Sequence, residues 1–150
     1  MMLHDQKKLA QARAVQILAK LPVFSGLVQE EYYKVLRLCN SKSMLAGETV
    51  FTQGDDASSL FILLGGEIDI NVEGKGTVHV MLAGEIMGEI GLVCKTTRSA
   101  TAVTRNDVVM LELPAETLHE MVQKHPHIGY VIMRNIAGIL GSRVLSHNQK

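Results

Sequence analysis

Between Met44 and Leu113 the chain repeats one pattern, a short apolar stretch followed by a turn. The stretches are Thr49–Thr52, Leu60–Leu64, Glu67–Val72, Thr77–Leu82, Ala100–Thr104 and Val108–Leu113. Between them stand Gln53-Gly54-Asp55-Asp56, Gly65-Gly66, Gly74-Lys75-Gly76, Ala83-Gly84 and Arg105-Asn106-Asp107, with Ala46-Gly47 ahead of the first. These residue types either open the left-handed backbone region or hydrogen-bond back onto their own turn. Within one stretch Ile68, Ile70 and Val72 alternate with Glu67, Asp69, Asn71 and Glu73, which predicts a strand with one wet face. Six or more short strands at this spacing predict a β-sandwich, a jelly roll or a small barrel.

The flanks carry a helical period instead. Residues 5–20 fit an amphipathic helix around which Leu9, Ala12, Arg13, Gln16, Ile17 and Lys20 alternate, with Asp5 as its cap. Pro22 disfavours a helical Leu21, so Leu21–Leu27 breaks that helix. A second helix fits Val28–Leu38, with Tyr32, Val35 and Leu36 on one side. After the strands, Pro114 opens a short helix to about Gln123, and His125-Pro126-His127 starts a longer one to about Ser146. The expected fold is α+β: an antiparallel, cupin-like β-roll (43–113) between N-terminal helices (1–40) and a C-terminal helical segment (114–150).

The 150 residues favour a single domain. A chain of this size buries roughly 68–70% of its unfolded surface, enough for a core with no metal or disulfide staple. Lys plus Arg and Asp plus Glu are 15 each, so no global field draws the protein to nucleic acid or anionic lipid. Residues 47–73 hold six acidic side chains and no Lys or Arg, and the first 20 hold four basic and one acidic. Both read as solvated faces, since neither builds a basic stripe with aromatics between. Uninterrupted apolar runs stay far below the ~20 residues of a membrane span, and the N-terminus turns polar too early for a secretory signal. Cys39 and Cys94 are expected as free thiols, and the cytoplasm as the address.

One segment stands apart, Gly84-Glu85-Ile86-Met87-Gly88-Glu89-Ile90-Gly91-Leu92 and its continuation to Thr101. Glycines at 84, 88 and 91 let the backbone approach another group closely. Glu89 to Leu92 fits a helical turn whose first N–H groups lack intrahelical partners, a ready anion site. Nine residues after Glu89 comes Arg98, whose planar fork suits two phosphate oxygens. A pocket holding one Glu and one Arg fits a ligand with one negative charge and a vicinal hydroxyl. Taken singly, each of these residues is also an ordinary surface group or turn glycine.

Met87–Thr101 resembles the phosphate-binding cassette of the cyclic-nucleotide-binding domain family, which includes the catabolite activator protein and the regulatory subunits of cAMP-dependent protein kinase. Leu45–Asp55 is similar to the family's early strand and turn, Leu60–Glu67 to its next hairpin, and Leu21–Leu27 with the flanking helices to its N-terminal helical element. The resemblance implies that Glu89 accepts a hydrogen bond from the ribose 2′-hydroxyl and that Gly88 lets the sugar come close. It implies that Arg98 pairs with the cyclic phosphate, helped by backbone N–H groups near Ile90, Gly91 and Ser99, with Thr101 closing the set. A hydroxyl at Ser99 can serve the phosphate or a guanine amino group. Thr97 departs from the kinase-type pattern, where proline often precedes the arginine, and is expected to loosen that turn.

The resemblance thus implies a non-catalytic sensor of cAMP, with cGMP as the alternative ligand, and no cofactor or metal. The other readings are a structural β-roll with a vestigial pocket that binds a protein partner, and a cupin-like enzyme. His79 is the only histidine inside the roll, and His119, His125 and His127 have poor ligand spacing, which argues against a metal enzyme. On the last helix Ile128, Ile132, Met133, Ile136, Ile139, Leu140 and Val144 fill one apolar arc. Arg143 falls inside it, either snorkelling at the helix end or, as the resemblance suggests, stacking on the purine. Partners implied are a protein effector or a further domain, and a second copy through the C-terminal helix.

Overall fold

The computed structural model describes residues 2–148. They form two compact units, a β-roll over Cys39–Thr117 and a helical unit built from the residues up to Leu38 and from Leu118 on. The strands are β1 (Asn40–Met44), β2 (Thr49–Phe51), β3 (Ser59–Gly65), β4 (Ile68–Val72), β5 (Gly76–Met81), β6 (Ile86–Met87), β7 (Thr101–Thr104) and β8 (Val108–Pro114). The helices are α1 (Met2–Lys20), α2 (Gln29–Leu38), α3 (Ala115–Lys124) and α4 (Pro126–Asn148).

The roll consists of two four-stranded antiparallel sheets, ordered β1-β8-β3-β6 and β2-β7-β4-β5. Their inner faces share one core of Phe61, Leu63, Ile68, Met81, Ala102, Val108 and Met110. β3 carries the continuous apolar run Leu60–Leu64, and its first five residues, Ser59 included, are all buried. β4 departs from the expected single wet face, since Asp69 and Asn71 are only half-exposed. Arg105 Nη2 pairs with Asp69 at 2.8 Å and Thr77 Oγ1 donates to Asn71 at 2.6 Å, so neighbours cover that face.

The expected boundary at residue 43 falls too late. β1 begins at Asn40 and pairs along its length with β8. Asn-Ser-Lys-Ser-Met has no apolar alternation because it is an edge strand with four of its five residues exposed, the position where polar and charged side chains blunt a sheet edge.

In the helical unit, α1 starts at Met2, so Asp5 lies in its first turn rather than capping it, where its charge favours the helix dipole. Leu9 is exposed, and the buried face is formed by Ala14, Val15 and Leu18. Pro22 opens a single 3₁₀ turn, Pro22–Phe24, that buries Val23 and Phe24 completely. Tyr32 Oη donates to the Phe24 carbonyl (2.9 Å), and Asn135 Nδ2 donates to the carbonyls of Val23 (3.1 Å) and Ser25 (2.8 Å). The apolar arc of α4 is buried only in its first half, at Ile128, Ile132 and Ile136, with Val131 beside them; Val144 and Leu145 are exposed. Pro126–Ser146 is long and apolar enough to cross a membrane by length and composition only, and 28% of its most apolar window is buried within the protein.

Glu31 ties α2 to α4. Its carboxylate accepts from the Val28 N–H at 3.0 Å, one arm of a capping box, and meets His127 Nδ1 at 2.7 Å. Burial pushes its pKa up, but the hydrogen bonds from His127 and Val28 and the charges of His127 and Lys34 outweigh that and hold it below its ordinary value. A depressed carboxylate stabilises the fold above its unfolded pKa of about 4.3 and loses that contribution as the pH falls through the folded value. Thermal melts of wild type and Glu31→Gln between pH 6 and pH 3 are therefore expected to show a wild-type advantage at pH 6 that shrinks progressively as the pH falls below about 4.3.

Candidate functional site

The segment singled out in the sequence lies inside the β-roll. β6 hydrogen-bonds to β3, with Met87 opposite Phe61 and Ile86 opposite Ile62. Gly88 then turns left-handed (φ 89°, ψ 27°) and heads a 3₁₀ turn over Glu89–Leu92. The Gly91 N–H donates to the Gly88 carbonyl at 3.1 Å, and the N–H groups of Val93 and Cys94 both reach the Ile90 carbonyl at 3.1 Å. The turn is seated closely on the chain before β3, because a Cβ at Gly91 would collide with the Ala57 carbonyl. Leu92 is fully buried beneath it.

The return path is fixed by backbone pairing. Arg98 N–H donates to the Asp55 carbonyl (2.7 Å), its carbonyl accepts from Gly54 N–H (2.9 Å), and Ala57 N–H donates to Thr96 (2.9 Å). Thr97 forms an antiparallel bridge with Asp56, so the residue expected to loosen this turn sits in a paired stretch.

This frame holds Arg98 with 7% of its surface exposed, and Glu89 with 6%. Arg98 Nη2 donates to the Ser59 carbonyl at 2.9 Å. Its guanidinium carbon lies 4.4 Å from the Phe51 ring centroid and 5.3 Å from that of Phe61. Nε is buried and, among the described residues, has no hydrogen-bond partner. Burial pushes the Arg98 pKa down, and the charges of Glu112 and Asp55 push back toward the cation. Gly88 has a second reason to be glycine: a Cβ there would strike Arg98 Nη1 and come within 2.8 Å of the Ser59 carbonyl.

Thus Gly88, Glu89, Ile90, Gly91 and Arg98 belong to one short stretch of the roll, with Ile90 and Ser99 at its exposed surface. Thr101 opens β7, where its hydroxyl accepts from the Gln53 N–H at 2.8 Å and braces the β2–β3 turn. Arg143 lies in the helical unit and is exposed, because the apolar arc in which it falls is itself uncovered at that end. Phe51, Phe61 and Ser59 were not foreseen: nothing local marks them, and only the pairing of distant strands brings them to Arg98. Among the described residues no group of three His, Cys, Asp or Glu could hold a metal ion.

A buried cation with an unmet donor against the glycine-opened turn, with buried Glu89 next along that turn, is an arrangement for an anionic ligand with a hydroxyl. The model of the cyclic nucleotide-binding domain matches residues 41–125, more than half of the chain. The chain belongs to the cyclic nucleotide-binding domain family. Curated relatives include Glutaminase 1 of Bradyrhizobium diazoefficiens, 29% identical over 89% of this chain but only 22% of that protein, and the Cyclic AMP receptor protein of Thermus thermophilus, 28% identical over 82% of this chain and 57% of that one. The chain spans about a fifth of the length of the glutaminases it matches.

Solved structures agree on the fold of this cyclic nucleotide-binding domain. The N-terminal domain of a transcriptional regulator from Streptomyces coelicolor A3(2) superposes with a TM-score of 0.80 at 21% identity, covering 85% of this chain and 94% of that one. The catabolite activator protein of Thermus thermophilus gives 0.73 at 26%, covering 86% and 61%.

Two outcomes are expected from this geometry. Gly88→Ala should destabilise the roll by at least ~1–2 kcal/mol through the left-handed backbone alone, measured by denaturant unfolding. In native protein at neutral pH a maleimide should label exposed Cys94 rapidly and Cys39 slowly, since burial pushes the Cys39 thiol up to about 12.

Proposed function

We propose that this domain is a non-catalytic sensor whose ligand is cAMP, bound in the β-roll through Arg98 and Glu89. The observation that carries the reading is the buried Arg98 guanidinium whose Nε has no hydrogen-bond partner among the described residues, on the same stretch of the roll as buried Glu89. A cyclic phosphate supplies the missing acceptor, and a ribose hydroxyl suits Glu89. The activities of the larger relatives, glutaminase and lysophospholipase, belong to proteins of which this chain covers 22% and 6%, and nothing in the site calls for them.

Calorimetry with cAMP and cGMP tests the reading directly, and the absence of binding by either would return the roll to a structural or protein-binding role. Arg98→Ala should weaken binding by about 100-fold, within the ~2–5 kcal/mol typical of truncating a buried charge pair. Glu89→Gln should cost less, because a carbonyl acceptor remains. Preference for cAMP over cGMP should stay within about tenfold, since the exposed Ser99 hydroxyl offers only one hydrogen bond worth ~0.5–1.5 kcal/mol.

The output proposed is a change in α4. Gly138 and Gly141 each weaken a helix by ~1 kcal/mol relative to Ala, and both face open space. Hydrogen exchange over residues 134–146 should slow when cAMP is added. Unchanged exchange, together with wild-type affinity in Arg143→Ala, rules that output out.

A further inference from the structure

The Arg98 cation is buried and has no ion-pair partner among the described residues, so something other than a carboxylate must hold it in place before any ligand arrives. Asp55 and Glu112 act on it only through space, and Glu112 is already engaged by Lys42 Nζ at 3.1 Å. The Ser59 carbonyl takes one guanidinium nitrogen. What remains is the pair of rings. Phe51 stands on β2 in one sheet and Phe61 on β3 in the other, with centroids 5.8 Å apart and planes inclined by 31°. The guanidinium lies within 6 Å of both centroids, in the range where a ring face attracts a cation electrostatically.

We propose that Phe51 and Phe61 are positioning residues for anion binding: one ring from each sheet holds the Arg98 guanidinium so that its Nε is left for the ligand. This rests on the reading of the site as a cyclic-nucleotide pocket. The rings do not touch the phosphate in this scheme; they act through the arginine. A ring face is what matters, not the volume it fills, because an aliphatic side chain fills the same gap without the quadrupole that compensates a desolvated charge. Phe51 carries the larger share. It is the nearer ring, and Phe61 is shared with Lys42 Nζ, 5.7 Å from its centroid.

Phe51 is also the better residue to test, since it is only partly buried on a three-residue strand, whereas Phe61 belongs to the central core. Phe51→Leu should weaken cAMP binding about tenfold, equivalent to about 1.4 kcal/mol, and Phe51→Tyr should restore affinity to within about twofold of wild type. In the ligand-free protein, the Arg98 Nε–H resonance should carry an upfield ring-current shift in wild type and Phe51→Tyr that shrinks in Phe51→Leu. If the leucine variant loses its cooperative melt, Phe51→Met, a flexible filler of the same space, gives the same two readouts.

Should wild type bind cAMP while a folded Phe51→Leu or Phe51→Met binds it equally well, the positioning role is overturned and the functional reading survives. It is overturned too if tyrosine restores no more affinity than leucine. If wild type binds neither cAMP nor cGMP, the functional reading fails and the positioning role falls with it.

Discussion

A guanidinium taken out of water needs compensation, and the local architecture of the roll is arranged around that requirement at Arg98. The backbone of residues 96–98 is paired to the 54–57 turn, which fixes where the side chain enters. Ser59 offers a carbonyl, the two sheets offer one aromatic face each, and Gly88 gives up a side chain to make room. One position, Nε, is left unmatched. A site that satisfied the cation completely would have no reason to bind an anion. A site that satisfied it poorly would not keep it buried.

The parts of this fold that follow local rules were legible in the sequence. Turn residues at regular intervals located β2 to β5, β7 and β8 to within a residue or two, because glycine and aspartate turns interrupt apolar runs whatever the tertiary context. β1 escaped because an edge strand need not alternate. The two-residue β6 escaped because its existence depends on β3, not on its own composition. On α1 and α4 the helical period was right, but the burial was not: Leu9 and Val144 are exposed where the wheel gave them an apolar side. A wheel reports what a helix could bury, and neighbouring elements decide how much of it they cover.

The site divides in the same way. Glu89, Gly88 and Arg98 lie on one stretch of chain and were visible both as residue chemistry and as a resemblance to a known cassette. The aromatic pair was not, since Phe51 and Phe61 sit ten residues apart on strands of different sheets and meet Arg98 only after both sheets close. Gly88 was legible as a flexible residue, but its contact with the arginine was not. Pairing between distant strands carries no local signature.

Asn135 binds carbonyls 110 and 112 residues earlier in the chain, and His127 meets Glu31 across 96. The β-roll, by contrast, is contiguous and closes within Cys39–Thr117. During synthesis, which runs from the N-terminus at ~5–20 residues per second, α1 and α2 emerge well before the α4 they are to meet. The roll can be complete before its flanking helices are. Val23 and Phe24, fully buried in the finished unit, then spend that interval, several seconds long at such rates, without their final cover. The order in which the chain appears is therefore not the order in which it can be locked, and its N-terminal helices gain their final contacts only when α4 arrives.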